Sequence, residues 1–264
     1  MKILIGSDIV PTNNNIELFN KADTKALIGE ELMKVFQEAD FKILNLETPL
    51  TDELTPIEKC GPNLIAPTST INGLGEINND FYCLANNHIY DQGEKGLWST
   101  TKLLEERGIA FSGVGRNLKE ATEPYILKKD GLSIGIYCCA EHEFSIATRN
   151  SPGANPYDPL ASFDDVEYLS KKCDYVIVLY HGGKEFHRYP SPNLQKVFRK
   201  FADKGANLVI AQHTHCVGCK EVYNGSTLVY GQGNFLFING DDEYWNTGML
   251  LEVNLTKNSS EITY

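Results

Sequence analysis

Short runs rich in β-branched and aromatic residues alternate with helical patterns along most of this chain, and that alternation restricts the fold more than any other feature. Lys2–Ser7 reads as a strand, and Thr24–Glu38 as a helix with Leu27, Ile28, Leu32, Val35 and Phe36 on one stripe. Phe41–Leu46 and Asp80–Leu84 read as the next two strands. Asp91-Gln92-Gly93-Glu94 has the pattern of a capping box, opening a helix that runs to about Arg107 and stops at Gly108. Tyr125–Lys128 and Leu132–Cys138 read as a hairpin across Lys129-Asp130-Gly131. A helix over Phe163–Lys172 precedes the apolar strand Asp174–Tyr180. Ser191-Pro192 caps a further helix, with Leu194, Val197, Phe198, Phe201 and Ala202 on its buried face. Gly205 ends that helix, and Asn207–Ala211 is another strand. From Cys216 onward, short strands alternate with Gly/Asn turns, which adds an antiparallel portion. The pattern predicts an α/β layered fold with a mixed sheet, or two sheets packed face to face.

No repeat, low-complexity tract or long Pro/Gly/Ser linker divides the sequence, so residues 1–264 are expected to form a single domain. The net charge of −11 argues against nonspecific nucleic-acid binding, whose footprint is basic. It leaves open an anionic small-molecule or polymer substrate, because local charge in a cleft outweighs the sum. The seven cysteines are odd in number, and four sit in or beside apolar runs. Cys216-Val217-Gly218-Cys219 has CxxC spacing, but it has no second CxxC and no thioredoxin-like context, so a structural reading is favoured. Reduced thiols fit a cytoplasmic location. The first apolar run ends at Asp8, too short for a signal peptide. No run approaches the ~18 apolar residues of a membrane span. A partner protein could still tether the chain to a membrane.

The informative feature is where the polar residues fall. Asp8 follows the first expected strand and Glu47 the second. Asn86-Asn87-His88 closely follow the third, His181 follows Asp174–Tyr180, and His213-Thr214-His215 follow Asn207–Ala211. Taken singly, each has a bland explanation. Asp8 could cap a turn, Glu47 could be a solvated loop residue, and Asn86-Asn87 could form a turn. His181-Gly182-Gly183 could be an ordinary loop, and His142 and His187 read as surface residues. His213 and His215 are harder to dismiss, because at i, i+2 in extended backbone both rings point the same way. Parallel strands would bring all five clusters to one sheet edge, where open α/β folds bind ligands. Carboxylates, an amide oxygen and imidazoles without thiolate suit Mn, Fe or Zn. Two such metals ~3.5–4 Å apart would clamp a phosphoryl transfer, and a nearby unligated imidazole would protonate the leaving group. Neither a P-loop nor a GxSxG elbow occurs.

These residues, read with their neighbours, resemble a family. Asp8, Asn45-Leu46-Glu47-Thr48-Pro49, and Leu84-Ala85-Asn86-Asn87-His88 with Asp91-Gln92-Gly93 are similar to CapA-type capsule (poly-γ-glutamate) biosynthesis proteins. So are His181-Gly182-Gly183-Lys184-Glu185-Phe186, Ala211-Gln212-His213-Thr214-His215-Cys216-Val217 and Gly233-Asn234-Phe235. The linking segments Phe111–Ala121 and Arg188–Pro192 match as well, and the likeness runs from residue 1 to about residue 240. That family belongs with the calcineurin-like metallophosphoesterases. The resemblance implies a four-layer α/β/β/α sandwich with its site at the top of two mixed sheets. It implies catalytic roles for His88, Asp8 and His181, with His88 the proton donor. It also implies one metal on Glu47, Asn87, His181 and His213, and another on Asp8, Glu47 and His215. The wider group has a histidine where this chain has Val10, and an aspartate where it has Glu47. One tight divalent metal and a second, weaker one are therefore expected.

The leading functional expectation is a metal-dependent, phosphoesterase-like hydrolase in capsule, poly-γ-glutamate or surface-polysaccharide biosynthesis. The alternatives are a non-catalytic accessory subunit working with capsule-synthesis partner proteins, and a metal-free acid/base enzyme of the epimerase kind. Lys184, His187 and Arg188 follow His181 and read either as contacts for an anionic group or as a solvated basic loop. Thiol titration of the denatured chain should return all seven cysteines; a stable Cys216–Cys219 disulfide would contradict the structural reading of that pair.

Overall fold

Alternate residues of the central strands face two different apolar layers, which is why those strands read as unbroken hydrophobic runs. The computed structural model describes residues 1–257 and 259–264. In chain order, the strands of the first half are β1 (Lys2–Ile9), β2 (Phe41–Leu46), β3 (Phe81–Cys83), β4 (Ala110–Ser112), β5 (Val114–Gly115), β6 (Tyr125–Lys129) and β7 (Leu132–Ala140). Those that follow are β8 (Gly153–Ala154), β9 (Tyr175–His181), β10 (Leu208–Gln212), β11 (Lys220–Tyr223), β12 (Ser226–Val229), β13 (Asn234–Leu236), β14 (Leu251–Leu255) and β15 (Ser260–Thr263). The helices are α1 (Ile16–Asn20), α2 (Thr24–Glu38), α3 (Ile71–Glu76), α4 (Gly93–Glu106), α5 (Leu118–Ala121), α6 (Ser162–Ser170) and α7 (Pro192–Asp203).

One sheet has the order β15-β14-β1-β2-β3-β4, with β13 alongside the end of β1. Its β1 to β4 are parallel, and β14 and β15 add antiparallel edges. The second sheet has the order β11-β12-β10-β9-β7-β6. There β7, β9, β10 and β12 run parallel, while the outer strands pair antiparallel. Ile3, Ile5 and Ile43 of the first sheet share one core with Ile136, Ile177 and Ile210 of the second. The opposite face of the first sheet, with Leu4, Leu44 and Tyr82, packs on Phe19, Leu27, Phe36 and Leu97 from helices α1, α2 and α4. The outer face of the second, with Val176, Val178 and Tyr180, packs on Leu169 of α6 and on Phe198 and Phe201 of α7. The layers run helix, sheet, sheet, helix, as the resemblance implied. Among the described residues no helix is long and apolar enough to cross a membrane.

Most local signals act as the sequence suggests. Asp130 and Gly131 both have positive φ, 54° and 73°, in the hairpin between β6 and β7. The Ser191 hydroxyl accepts the Leu194 amide hydrogen, with Pro192 opening α7. Two expectations are corrected. Gly29, at φ 76° and ψ 160°, kinks α2 and shifts its face, so Leu27, Ile28 and Phe36 are buried whereas Leu32 is exposed. The capping box at Asp91 does not form. Gln92 stands at the N-cap of α4 without a side-chain bond, and Asp91 is bonded elsewhere.

Gly113, between β4 and β5, marks where the two sheets close on each other. It has φ +89°, and a Cβ there would fall 2.7 Å from the Ala85 Cβ and 2.8 Å from the Cys138 Cβ. Gly113→Ala should cost about 1–3 kcal/mol, through both the dihedral and the overpacking. The check is a lower urea midpoint at unchanged slope.

Candidate metal centre

Strand ends from both sheets converge at one place. Asp8 lies near the end of β1, opposite Asn45 of β2 and Asn234 of β13. Glu47 follows β2, and Asn86-Asn87-His88 follow β3. His181 ends β9 beside Gln212 of β10, and His213 and His215 come next. The clusters therefore sit on the carboxyl ends of two packed sheets, not along the edge of one. Asp8 accepts a hydrogen bond from Asn45 Nδ2 at 2.7 Å and another from the His213 amide at 3.2 Å. His181 Nε2 lies 2.9 Å from Asn87 Oδ1 and 3.0 Å from Glu47 Oε1. Neither buried Glu47 oxygen has a hydrogen-bond partner, so the His181 approach is close but misaligned.

His213 and His215 converge by a route other than strand alternation. Both have positive φ, 85° and 49°, so this turn is left-handed rather than extended. Such backbone is costly for a non-glycine residue and is held by its surroundings. His215 Nδ1 is 2.9 Å from Asn234 Oδ1, and its ring stacks on Trp245 with centroids 4.4 Å apart. His213 is buried with Nδ1 unpartnered, and its ring centroid is 4.9 Å from that of His181.

Burial dominates the electrostatics. Loss of water raises the Glu47 carboxyl from 4.5 to about 8, and the neighbouring Asp8 charge adds to the rise. The same cause lowers His181 to about 4, and it holds His213 well below its ordinary value. His181 and His213 are thus neutral, the form in which an imidazole ligates a metal. Ligand atoms fall within 4.8 Å of one another in three groups: Glu47 with His181 and His213, Asp8 with Glu47 and His215, and Glu185 with His213 and His215.

Beside these donors, His88 is held by a buried ion pair. Its Nδ1 is 2.6 Å from Asp91 Oδ2. Lys59 Nζ is 2.5 Å from Asp91 Oδ1 and 3.2 Å from His88 Nδ1, and the Leu64 amide also donates to Asp91. Because Asp91 can only accept, the proton between them sits on Nδ1 and leaves Nε2 as the outward nitrogen.

All six expected donors, Asp8, Glu47, Asn87, His181, His213 and His215, are brought together with His88 near them. Of the candidate anion contacts, Lys184, His187 and Arg188 are all exposed. Arg188 Nε is committed to the Val217 carbonyl, and His187 Nδ1 lies 2.8 Å from the Glu185 carbonyl. The sequence pointed to no site role for Asn45, Lys59, Glu185, Asn234 or Trp245, and to Asp91 only as a helix cap. Asn45, Asp91, Glu185 and Asn234 stood inside the matched motifs, whereas Lys59, 29 residues before His88, carried no local signal.

Residues 2–239 match the family described as Bacterial capsule synthesis protein PGA_cap. The chain belongs to this family. It is 26% identical over 234 residues to the PGA biosynthesis protein CapA of Bacillus subtilis (strain 168), covering 86% of this chain and 60% of that protein. It is 26% identical over 242 residues to the capsule biosynthesis protein CapA of Bacillus anthracis, covering 88% and 59%. The PGA_cap chain thus spans about three fifths of the length of these curated relatives. A solved phosphatase from Mycoplasma pneumoniae shares the fold, with a TM-score of 0.56 at 14% identity over 100% of this chain and 92% of that one. The PGA_cap chain has the calcineurin-like phosphoesterase fold.

The donor set of the PGA_cap chain fits a divalent cation. A buried carboxyl without a hydrogen-bond donor stands among neutral imidazoles, and a cation would satisfy both. Binding must displace the Glu47 proton, so apparent Mn²⁺ affinity should rise about tenfold per pH unit below pH 8 and flatten above it. Calorimetry in buffers of different ionisation heat should find about one proton released near pH 7. Without metal the sign reverses. A folded-state value raised above 4.5 gives stability that is present at low pH and is lost as pH rises through about 8. An affinity that is flat with pH over this window would refute the assignment.

Proposed function

We propose that this PGA_cap chain is a metal-dependent hydrolase of a phosphoester or related bond in capsule or poly-γ-glutamate metabolism, acting as a single domain over residues 1–264. The observation that carries this reading is Glu47, buried and without a hydrogen-bond partner, standing in two donor groups at once. One group adds Asp8 and His215, and the other adds His181 and His213, with the Asn87 oxygen beside His181. Divalent metal there would supply Lewis acidity toward the phosphoryl oxygens and lower the pKa of water. His88 is the residue assigned to give a proton to the leaving oxygen: as the imidazolium it carries a proton on each nitrogen, releases the one on Nε2 and keeps the one on Nδ1 against Asp91. Asp91 holds its other nitrogen, and Lys59 holds Asp91 in place. Asp8 and His181 act as ligands and charge-setting groups, not as proton carriers. The relatives' names support a role in capsule polymer synthesis. Free cysteines, four of them buried, support a reducing compartment such as the cytoplasm.

The test is Mn²⁺-supplemented turnover of simple aryl phosphates and phosphodiesters. His88→Ala should lower turnover ~10²–10⁴-fold while bound metal, by elemental analysis, stays unchanged. Metal loss in that variant would make His88 a ligand. Full metal binding with no turnover on any ester would favour the non-catalytic accessory reading, and an active metal-free protein the acid/base one.

A further inference from the structure

We propose that Glu185 is a metal ligand, supplying to the Asp8–Glu47–His215 half of the centre the donor that position 10 lacks. This rests on the metal reading above and adds a residue to it. Val10 is buried and apolar, and its amide is bonded to the Leu236 carbonyl, so the side chain at position 10 has nothing to offer a cation. With Asp8, Glu47 and His215 alone, that half has three protein donors.

Glu185 comes from the opposite sheet, four residues after His181. The next residue, Phe186, donates its amide hydrogen to the Thr214 carbonyl at 2.9 Å, which ties the loop to the turn carrying His213 and His215. Phe186 takes φ 61°, a rare conformation for a bulky residue, and this bond accompanies it. Glu185 Oε1 then lies 3.7 Å from His213 Nε2, and its carboxylate shares a donor group with His213 and His215. His215 belongs to this group and also to that of Asp8 and Glu47. A cation held by Asp8, Glu47 and His215 is therefore within a side-chain rotation of Glu185. The Glu185 side chain is 47% exposed, free to make that rotation from the open side of the site. His213, a donor of the neighbouring half, is buried with no hydrogen bond at Nδ1, and its Nε2 faces Glu185, which sets the Glu185 carboxylate at the rim of the centre. An oxygen donor in place of an imidazole suits Mn²⁺ at least as well.

The experiment is Mn²⁺ titration of metal-free protein by calorimetry, with the electron spin resonance spectrum of the loaded sample. The unmodified chain should take up two equivalents and show a spin-coupled pair. Glu185→Gln, at an exposed position that leaves the core intact, should keep the first step and weaken the second at least ~10–100-fold, with the coupled signal lost. Glu143→Gln should leave both steps unchanged; its Oε1 lies 3.9 Å from His213 Nε2, and it stands in none of the donor groups. Two unaltered steps in Glu185→Gln would overturn the proposal. So would weakening of the first step alone, which would make Glu185 a residue that merely orients His213. An unmodified chain that binds no divalent metal would overturn it together with the metal reading, whereas the other two failures leave that reading standing.

Discussion

Ile3, Ile5 and Ile43 pack against Ile136, Ile177 and Ile210, and this apolar contact between the sheets determines where every donor of the site lies. Asp8 and Glu47 lie at or just past strand ends of one sheet, His181 and His213 at or just past those of the other. No local turn connects them. Their separations of a few ångströms follow from two rigid layers pressed together at close-packed density, with strand ends left flush. A core change that let one sheet slide would move ligand atoms by as much as it moved strands. Gly113 has the same logic at smaller scale, since a single methyl there would meet both Ala85 and Cys138.

That packing also sets the charge state. Burying a carboxyl beside Asp8 with no donor aimed at it is unfavourable, so Glu47 holds its proton well above the usual carboxylate range. The imidazoles at 181 and 213 respond in the opposite sense and stay neutral. The result is a set of uncharged, poorly satisfied groups whose natural complement is a cation. By contrast, Asp91 is fully engaged by Lys59, His88 and the Leu64 amide, so it has no oxygen left for metal. Two buried acids thus have different chemistry because one has donors and the other has none.

Much of the fold was legible in the chain. The strands, the hairpin at Asp130-Gly131 and the cap at Ser191 rest on rules that act over a few residues, and they hold here. The readings that failed were those where a distant group competed with a local rule. Asp91 had capping spacing, but a buried ammonium from residue 59 and an imidazole are stronger partners than the neutral amides of a helix end. The stripe on α2 was interrupted by Gly29, whose positive φ shifts the helical phase so that Leu32 faces water. His213 and His215 converge, though by a left-handed turn, because the His213 amide is drawn to Asp8 across the sheets.

By itself the sequence determined which faces of each strand are apolar and that a polar, metal-competent residue stands at five strand ends, because period and position are properties of neighbouring residues. Only the tertiary structure decided which of those ends meet, that Lys59 and Glu185 stand beside them, and that Glu47 rather than Asp91 is left without donors. Those outcomes depend on water exclusion and on atoms tens to hundreds of residues apart occupying the same small volume, and a local pattern carries no record of either.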